Sequence, residues 1–442
     1  MARSLGGALF VAAVLLAAPG CGAKTGLRVP DASLDSGPDA GVDASRDAGI
    51  DAGDAHVPCV QLDPDAGPIE LPLDTEVEIQ HADVVFVIDV TGSMMEEIGH
   101  IRGELRDTIA PGIQASIPDS QIGVATFADF PILGCGCDGT TSCGAADPTY
   151  TLVTPVTDDL ARVQSAVGTI TNANGADPPE AQVEALYQTA TGEGLGRFIP
   201  ASFGCPGGGF GYACFRGDAL PVILLFTDDL WHDGPSTVPG FFSDPFSASC
   251  PDLLSIVSPH TYDDARAVLV DRGIRVIGLF SGTDAQARRE MDQVAIDTNA
   301  VNGSAPLTFD IGTRGERLSS SVIDAIRTLA AVIRLDIDTV LVNPTPGSAI
   351  DPRSFVARVT PLRAEPMDGV ESIDVAAGVF RQVRTGTRVV FQLTLRNDAV
   401  APGRGPQHFP LEIVFRADGR TTIGSTTIDI VVPGTDGSGC PM

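Results

Sequence analysis

Lysine is nearly absent from this 442-residue chain, tryptophan occurs once, and only 5% of the residues are aromatic. Basic side chains number 28 against 57 acidic ones, a formal net charge of −29, and no basic patch is evident. That balance argues against nucleic acid as a partner and favours solubility and weak recruitment of divalent cations. The glycine run Gly207 to Gly209 is not followed by Gly-Lys-Ser/Thr, so it reads as flexible loop and not as a phosphate cradle. Large apolar side chains are scarce from Val29 to about Pro68, where Asp, Ala, Gly, Ser and Pro dominate. Asp31, Asp35, Asp39, Asp43, Asp47 and Asp51 recur every fourth position, but Gly37, Pro38, Gly41 and Gly49 interrupt any helix. Residues 21–68 therefore read as a disordered acidic tether, with calcium-binding repeats as a rival that lacks its regular Gly-rich loops. About 40 such residues span on the order of 35 Å.

The amino terminus carries Arg3, the apolar run Ala8 to Ala18, then Pro19, Gly20 and Cys21. Residues 1–20 read as a signal peptide, too short for a stable membrane span. The small residues before Cys21 are similar to a bacterial lipoprotein processing site, with Ala18 standing where Leu is more typical. That likeness implies lipidation of Cys21 and membrane attachment through acyl chains. The expected location is the bacterial outer membrane, facing the periplasm or the surface; ordinary secretion is the competing reading. Eight further cysteines follow: Cys59, Cys135, Cys137, Cys143, Cys205, Cys214, Cys250 and Cys440. An even number in an exported chain points to up to four disulfides, whose pairing the spacing does not fix. Cys135, Cys137 and Cys143 share a Gly-rich loop without a nearby His, which favours disulfides over a soft-metal site. Cys205 and Cys214 flank PGGGFGYA and are placed to close a small loop.

What the chain does have is the stretch His81 to Glu97, HADVVFVIDVTGSMMEE. Ala82 to Ile88 reads as a buried strand of a parallel sheet, and Met94 onward as a helix. The turn between them falls where open α/β sheets bind ligands. It offers Asp89, Thr91 and Ser93, hard oxygen donors that suit Mg²⁺, Mn²⁺ or Ca²⁺ better than Zn²⁺ or Cu⁺. Helix capping by Thr91 or Ser93, with Glu96 or Glu97 closing a capping box, is the bland reading.

Strands and helices alternate from there. Strands are expected at Val77–Ile79, Gln121–Phe127, Leu220–Phe226, Ile274–Phe280 and Leu307–Asp310. Helices are expected over Met94–Ile109, Thr157–Ile170, Pro179–Thr191, Tyr262–Arg272, Ala285–Ala295 and Leu318–Ile333. The pattern predicts an α/β fold for residues 80–333, a doubly wound, mostly parallel, Rossmann-like sheet covered on both faces. From Arg334 the period changes to clustered β-branched residues, as in Thr387 to Leu395. Residues 334–435 read as a β-sandwich without a reactive constellation.

Two strands, ending at Ile88 and Phe226, deliver acids to one edge of the predicted sheet: Asp89, then Asp228 and Asp229. A third loop carries Asp177, Pro178, Pro179 and Glu180. The pattern Asp-x-Thr-x-Ser, with a later strand ending Thr-Asp, resembles a von Willebrand factor type A domain bearing a metal-ion-dependent adhesion site. DVTGSMMEE, the DPPE of Asp177 to Glu180, and FADF at 127–130 are similar to the integrin β-subunit I-like domain. The resemblance implies a metal held by Asp89, Thr91, Ser93, Glu180 and Asp228, with secondary cation sites drawing on Glu96, Glu97, Asp177 and Asp229. It implies Mg²⁺ or Mn²⁺ at the centre and Ca²⁺ at adjacent sites.

A cation held largely by neutral hydroxyls and water keeps positive character that a partner's carboxylate can satisfy. The expected function is metal-dependent adhesion to a protein or surface ligand. A structural role in assembling an envelope complex is second, and a metal-dependent hydrolase third. Asp228, Asp229 and His232 in TDDLWH resemble a hydrolase cluster in composition, but no nucleophile with its base accompanies them. Trp231 and His232 are expected to be loop-packing or rim residues.

Overall fold

The computed structural model describes residues 57–64, 66–133, 135–136, 147–173, 178–238, 250 and 252–440. Cys21, Cys137, Cys143, Asp177 and the tether up to residue 56 lie outside the described residues, as does the signal peptide.

The chain first forms β1 (Cys59–Gln61) and β2 (Ile69–Glu76), then enters β3 (His81–Asp89) and α1 (Met95–Glu104). A single π-helical turn at Leu105–Ile109 joins α1 to the short α2 (Ala110–Gln114). Next come β4 (Asp119–Phe127), β5 (Thr151–Thr157), α3 (Leu160–Gly168), α4 (Gln182–Thr191) and β6 (Leu220–Thr227). α5 (Tyr262–Asp271), β7 (Arg275–Phe280), α6 (Ala285–Asp297) and a hairpin of β8 (Val301–Asn302) and β9 (Ala305–Pro306) follow. β10 (Thr308–Asp310) and α7 (Leu318–Val332) complete the α/β part.

Its sheet runs β10-β7-β6-β3-β4-β5. All neighbours are parallel except β4 and β5, which are antiparallel. β3 and β6 are buried from Ala82 to Asp89 and from Leu220 to Thr227, as strands covered on both faces must be. The expected α/β class holds. The chain moves from β3 to β4 and β5 on one side, then crosses back to β6 on the other. β3 and β6 thus flank the switch point, with Ile88 opposite Phe226.

Helix starts depart from the sequence reading for local reasons. Thr157 ends β5, and α3 is capped two residues later by Asp159, whose carboxylate accepts from Ala161 N and Arg162 N at 3.0 Å each. The loop bonds of Glu180 and Ala181 delay α4 to Gln182.

After α7 the chain forms β11 (Arg334–Val342), β12 (Val356–Glu365), β13 (Ser372–Asp374) and β14 (Val379–Arg384). It closes with β15 (Arg388–Leu395), β16 (Gln407–Ala417) and β17 (Thr421–Val432). The second sheet runs β1-β17-β16-β11-β14-β13 and the third β12-β15-β2. Apolar residues of both, such as Ile337, Phe380, Phe391 and Phe415, fill the space between them.

Here the domain boundaries need correction. Cys59–Gln61, assigned above to the tether, pairs with Asp429–Val431, and Cys59 is disulfide-bonded to Cys440. β2 pairs with β15 over its whole length, from Ile69 opposite Leu395 to Glu76 opposite Arg388. The β part is therefore built from both ends of the described chain, with the α/β part inserted between β2 and β11. The sequence reading started the sandwich at 334 because local periodicity carries no sign of which distant strand a segment joins. The expected strand at Val77–Ile79 is instead a link: Val77 N donates to Thr387 O and Gly386 N to Val77 O.

A chain starting at Gln80 should keep its helical circular dichroism. It should lose the cooperative melting of the β part, with a transition lower by roughly 10 °C and new dye-binding apolar surface. An unchanged melting curve would show β2 to be dispensable.

Candidate functional site

β3 and β6 deliver their last residues to adjacent positions at the carboxyl edge of the sheet. Asp89 ends β3 fully buried, with its carboxylate held from three directions. Thr91 N and Thr91 Oγ1 donate to Asp89 Oδ1 at 2.9 and 2.7 Å, and Thr227 Oγ1 donates to Oδ2 at 2.7 Å. Gln182 Nε2, at the start of α4, donates to Thr227 Oγ1 at 3.0 Å and to Leu230 O at 3.2 Å. Ser93 Oγ donates to Asp228 Oδ1 at 3.0 Å, bridging the two strand ends. Asp89, Thr91, Ser93 and Asp228 are thus one connected cluster.

Thr91 Oγ1 donates to Asp89 and Ser93 Oγ to Asp228, and the two hydroxyl oxygens lie 3.3 Å apart, within reach of a hydrogen bond that either can donate. The spacing suits neighbouring ligands of one cation: metal–oxygen distances of about 2.1 Å for Mg²⁺ and about 2.4 Å for Ca²⁺ put adjacent octahedral oxygens about 3.0 to 3.4 Å apart. Capping alone does not account for the arrangement, since neither Thr91 nor Met94 makes a side-chain cap bond to the helical turns that follow.

The electrostatics point the same way. Burial, and after it the charge of Asp228, pushes Asp89 up to about 7 against the three hydrogen bonds that oppose it. Burial also raises Asp228, with Asp229 adding to the rise. Glu97, buried at the start of α1, is raised by burial and by Asp228, and its Oε2 has no hydrogen-bond partner among the described residues. Glu96 is exposed instead and pairs with Arg314 at 3.5 Å, so the two neighbouring acids occupy different surroundings. Asp229 Oδ1 accepts from Leu230 N at 2.7 Å, shaping its own loop.

Glu180 is buried, and its backbone is clipped to the loop after β6: Glu180 N donates to Leu230 O and His232 N to Glu180 O, each at 2.8 Å. Ala181 N donates to Ala128 O at 3.0 Å, tying this loop to the end of β4. The three loops singled out from the sequence therefore meet at one edge. Trp231 and His232 are buried, with His232 Nε2 3.3 Å from Asp129 Oδ1 and Trp231 N donating to Glu290 Oε2. They pack the interior of the loop and do not line an exposed cluster.

Several contributors escaped sequence reading. Thr227 entered only as the Thr of the Thr-Asp strand end and without a role of its own, Gln182 looks like an ordinary helix residue, and Asn172, which donates to Thr91 O at 3.4 Å, sits in a featureless loop. Gly282 is another: a Cβ there would collide with the Asp228 carbonyl oxygen, so the close approach of the β7 and β6 loops requires glycine. Among the cysteines, Cys135 pairs with Cys250 and Cys205 with Cys214. The first ties the loop after β4 to the loop after β6; the second closes the small Gly-rich loop anticipated from its flanks.

No family model and no curated protein sequence matches the chain. Among solved structures it is similar to a von Willebrand factor type A protein from Catenulispora acidiphila. That match has 11% identity and a TM-score of 0.31, and covers 87% of this chain and 77% of that one. It is also similar to the pilus adhesin SpaC from Lactobacillus rhamnosus GG in its open conformation, at 12% identity and a TM-score of 0.31. There 86% of this chain is covered but 46% of the adhesin, so the match spans about half of that protein. The SpRpn10 VWA domain matches over 55% of this chain at 10% identity and a TM-score of 0.30. At such scores the strand order and loop geometry stand on their own.

In chelator, the folded pKa of Asp89 lies above its unfolded value of about 4. The folded state then binds the extra proton between the two values, so stability falls as pH rises from about 4 to about 7. Asp89→Asn keeps the hydrogen-bonding shape without the charge, and its unfolding free energy should fall less across that window, by on the order of a few kcal/mol. Parallel curves for the two proteins would contradict the raised value.

Proposed function

We propose that this protein binds a divalent cation, Mg²⁺ or Mn²⁺, at the von Willebrand factor A-type cluster and uses it to capture a carboxylate of a protein or surface ligand. The observation that carries the proposal is the facing pair of Thr91 and Ser93 oxygens between two acids. Thr91 and Ser93 would hold the ion directly, with Asp228 and Asp89 supplying charge and, by the resemblance to integrin β subunits, Glu180 as a further ligand. When bound, the ion supplies positive charge for a partner's acidic group. The chain supplies the rest: Asp89 is locked by Thr91 and Thr227, and Ser93 is exposed while Asp228 is half-buried, so the cluster opens outward. Glu97 and Glu96, with Asp177 and Asp229, are the proposed donors for adjacent Ca²⁺.

The same reading places the protein outside the cytoplasm, attached through lipid on Cys21, with residues 21–56 as tether. Binding is favoured over hydrolysis because His232 is buried in loop packing and has no place beside the outward-facing oxygens. A role in organising an envelope complex is favoured only by the depth of Asp89, which would let an ion brace the loops without meeting a partner.

Mn²⁺ titration followed by electron paramagnetic resonance should show binding that Asp89→Ala abolishes with the circular dichroism unchanged. Retention of ligands from native envelope extracts should require Mg²⁺ and vanish in chelator. Ion binding without cation-dependent retention would favour the envelope role; retention that survives chelator and Asp89→Ala would sink the adhesion reading. Gly282→Ala removes no donor but displaces the Asp228 loop, and should weaken Mn²⁺ by at least about tenfold, roughly 1.4 kcal/mol. Unaltered affinity in that variant would show that Asp228 need not sit where β7 holds it.

A further inference from the structure

The inserted α/β part joins the β part through two single-chain links, Val77–Gln80 and Ile333. Two such links would by themselves allow bending, yet the turn between β16 and β17 reaches across from the β part to the amino edge of the α/β sheet. Asp418 stands at the tip of this hairpin with φ 51° and Gly419 follows with φ 70°, the left-handed pair a tight hairpin needs. One carboxylate oxygen of Asp418 accepts from Asp336 N at 2.9 Å, within the β part. The other accepts from Arg275 Nη2 at 2.8 Å, at the start of β7. Arg275 is 8% exposed and anchors further by donating Nη1 to Thr298 O at 3.1 Å.

Two more bonds flank this one. Arg420 Nη2 donates to Asp271 O at 2.8 Å, and Thr422 N donates to Asp218 O at 3.1 Å. On the other side of the joint, the links Val77 and Ile333 are buried, and Thr385 Oγ1 donates to Ala331 O at 3.1 Å. A cleft of about 460 Å³ lies there, lined by Glu78, Gln80, Pro118, Arg327 and Thr385 among others. The joint is bonded on both sides and crossed by continuous apolar core, and to these contacts the hairpin side adds the largely buried ion pair of Arg275 and Asp418.

We infer that the Asp418 hairpin is a clamp that fixes the orientation of the inserted α/β part on the β part, with Asp418 as the positioning residue and Arg275 as its receptor. The candidate cation cluster lies at the carboxyl edge of the sheet and the clamp at the amino edge. The clamp therefore aims the cluster away from the β part in a set direction without touching it. This holds whatever the cluster binds.

The test is small-angle scattering and amide hydrogen exchange on the full chain in its oxidised form. In wild type, one arrangement of the α/β and β parts should fit, with the amino-terminal tether treated as a flexible segment. Asp418→Ala leaves Arg275 buried without its partner and is open to simple misfolding, so the deciding variant is the pair R275Q/D418N, which keeps side-chain hydrogen bonding without the charges. It should need a broadened ensemble to fit its scattering. Amides of Val77, Gly386 and Thr387 should exchange at least about tenfold faster, while Thr91 and Val90 exchange as before. Unchanged scattering and exchange in R275Q/D418N would overturn the clamp, as would a wild type that already needs several arrangements of the α/β part on the β part. Loss of cooperative unfolding in R275Q/D418N would also overturn it, because Asp418 would then be a folding determinant of the β part.

Discussion

A carboxylate with no exposure at the end of the central strand is the constraint on which the site depends. Asp89 is desolvated by the sheet around it and sits near a second acid, Asp228, brought in by the neighbouring strand. Such a group is costly to bury unless hydrogen bonds or a cation compensate it. Thr91 and Thr227 supply three bonds, and Gln182 in turn fixes Thr227. The loops at the switch point are shaped by the need to satisfy this one side chain. The same loops bring Thr91 Oγ1 to 3.3 Å from Ser93 Oγ.

The scaffold behind the site explains why these loops meet so closely. β3 and β6 are adjacent and parallel, so their ends lie side by side with no intervening strand. Gly282 lets the loop after β7 press against the Asp228 backbone, and the backbone bonds of Glu180 and Ala181 draw the α4 loop onto the ends of β4 and β6. At the opposite edge the α/β part is mounted in a sandwich whose strands come from both chain ends, with Cys59 and Cys440 joined where those ends meet. Site and mounting thus occupy opposite poles of one sheet.

The α/β class and the meeting of three loops were legible because they follow from short-range signals: apolar runs ending in oxygen-bearing residues, at strand ends that parallel topology places together. Less of the β part was legible. VFRQVR of β14 alternates too weakly to announce a strand, β1 fell within the tether, and β2 fell in no domain, because strand pairing across some 300 residues leaves no local trace. The roles of Thr227 and Gln182 were invisible for a different reason. Their importance lies in a hydrogen-bond chain to Asp89 that exists only after folding, and neither residue type is unusual in a strand or a helix.

The central claim is that the Thr91 and Ser93 oxygens face a cation. Crystals grown with Mn²⁺ and measured at the manganese edge test it most directly. The account predicts one anomalous peak within bonding distance of both hydroxyl oxygens and beside Asp228. A map without a peak there, or with manganese only at surface acids such as Glu96, would contradict it.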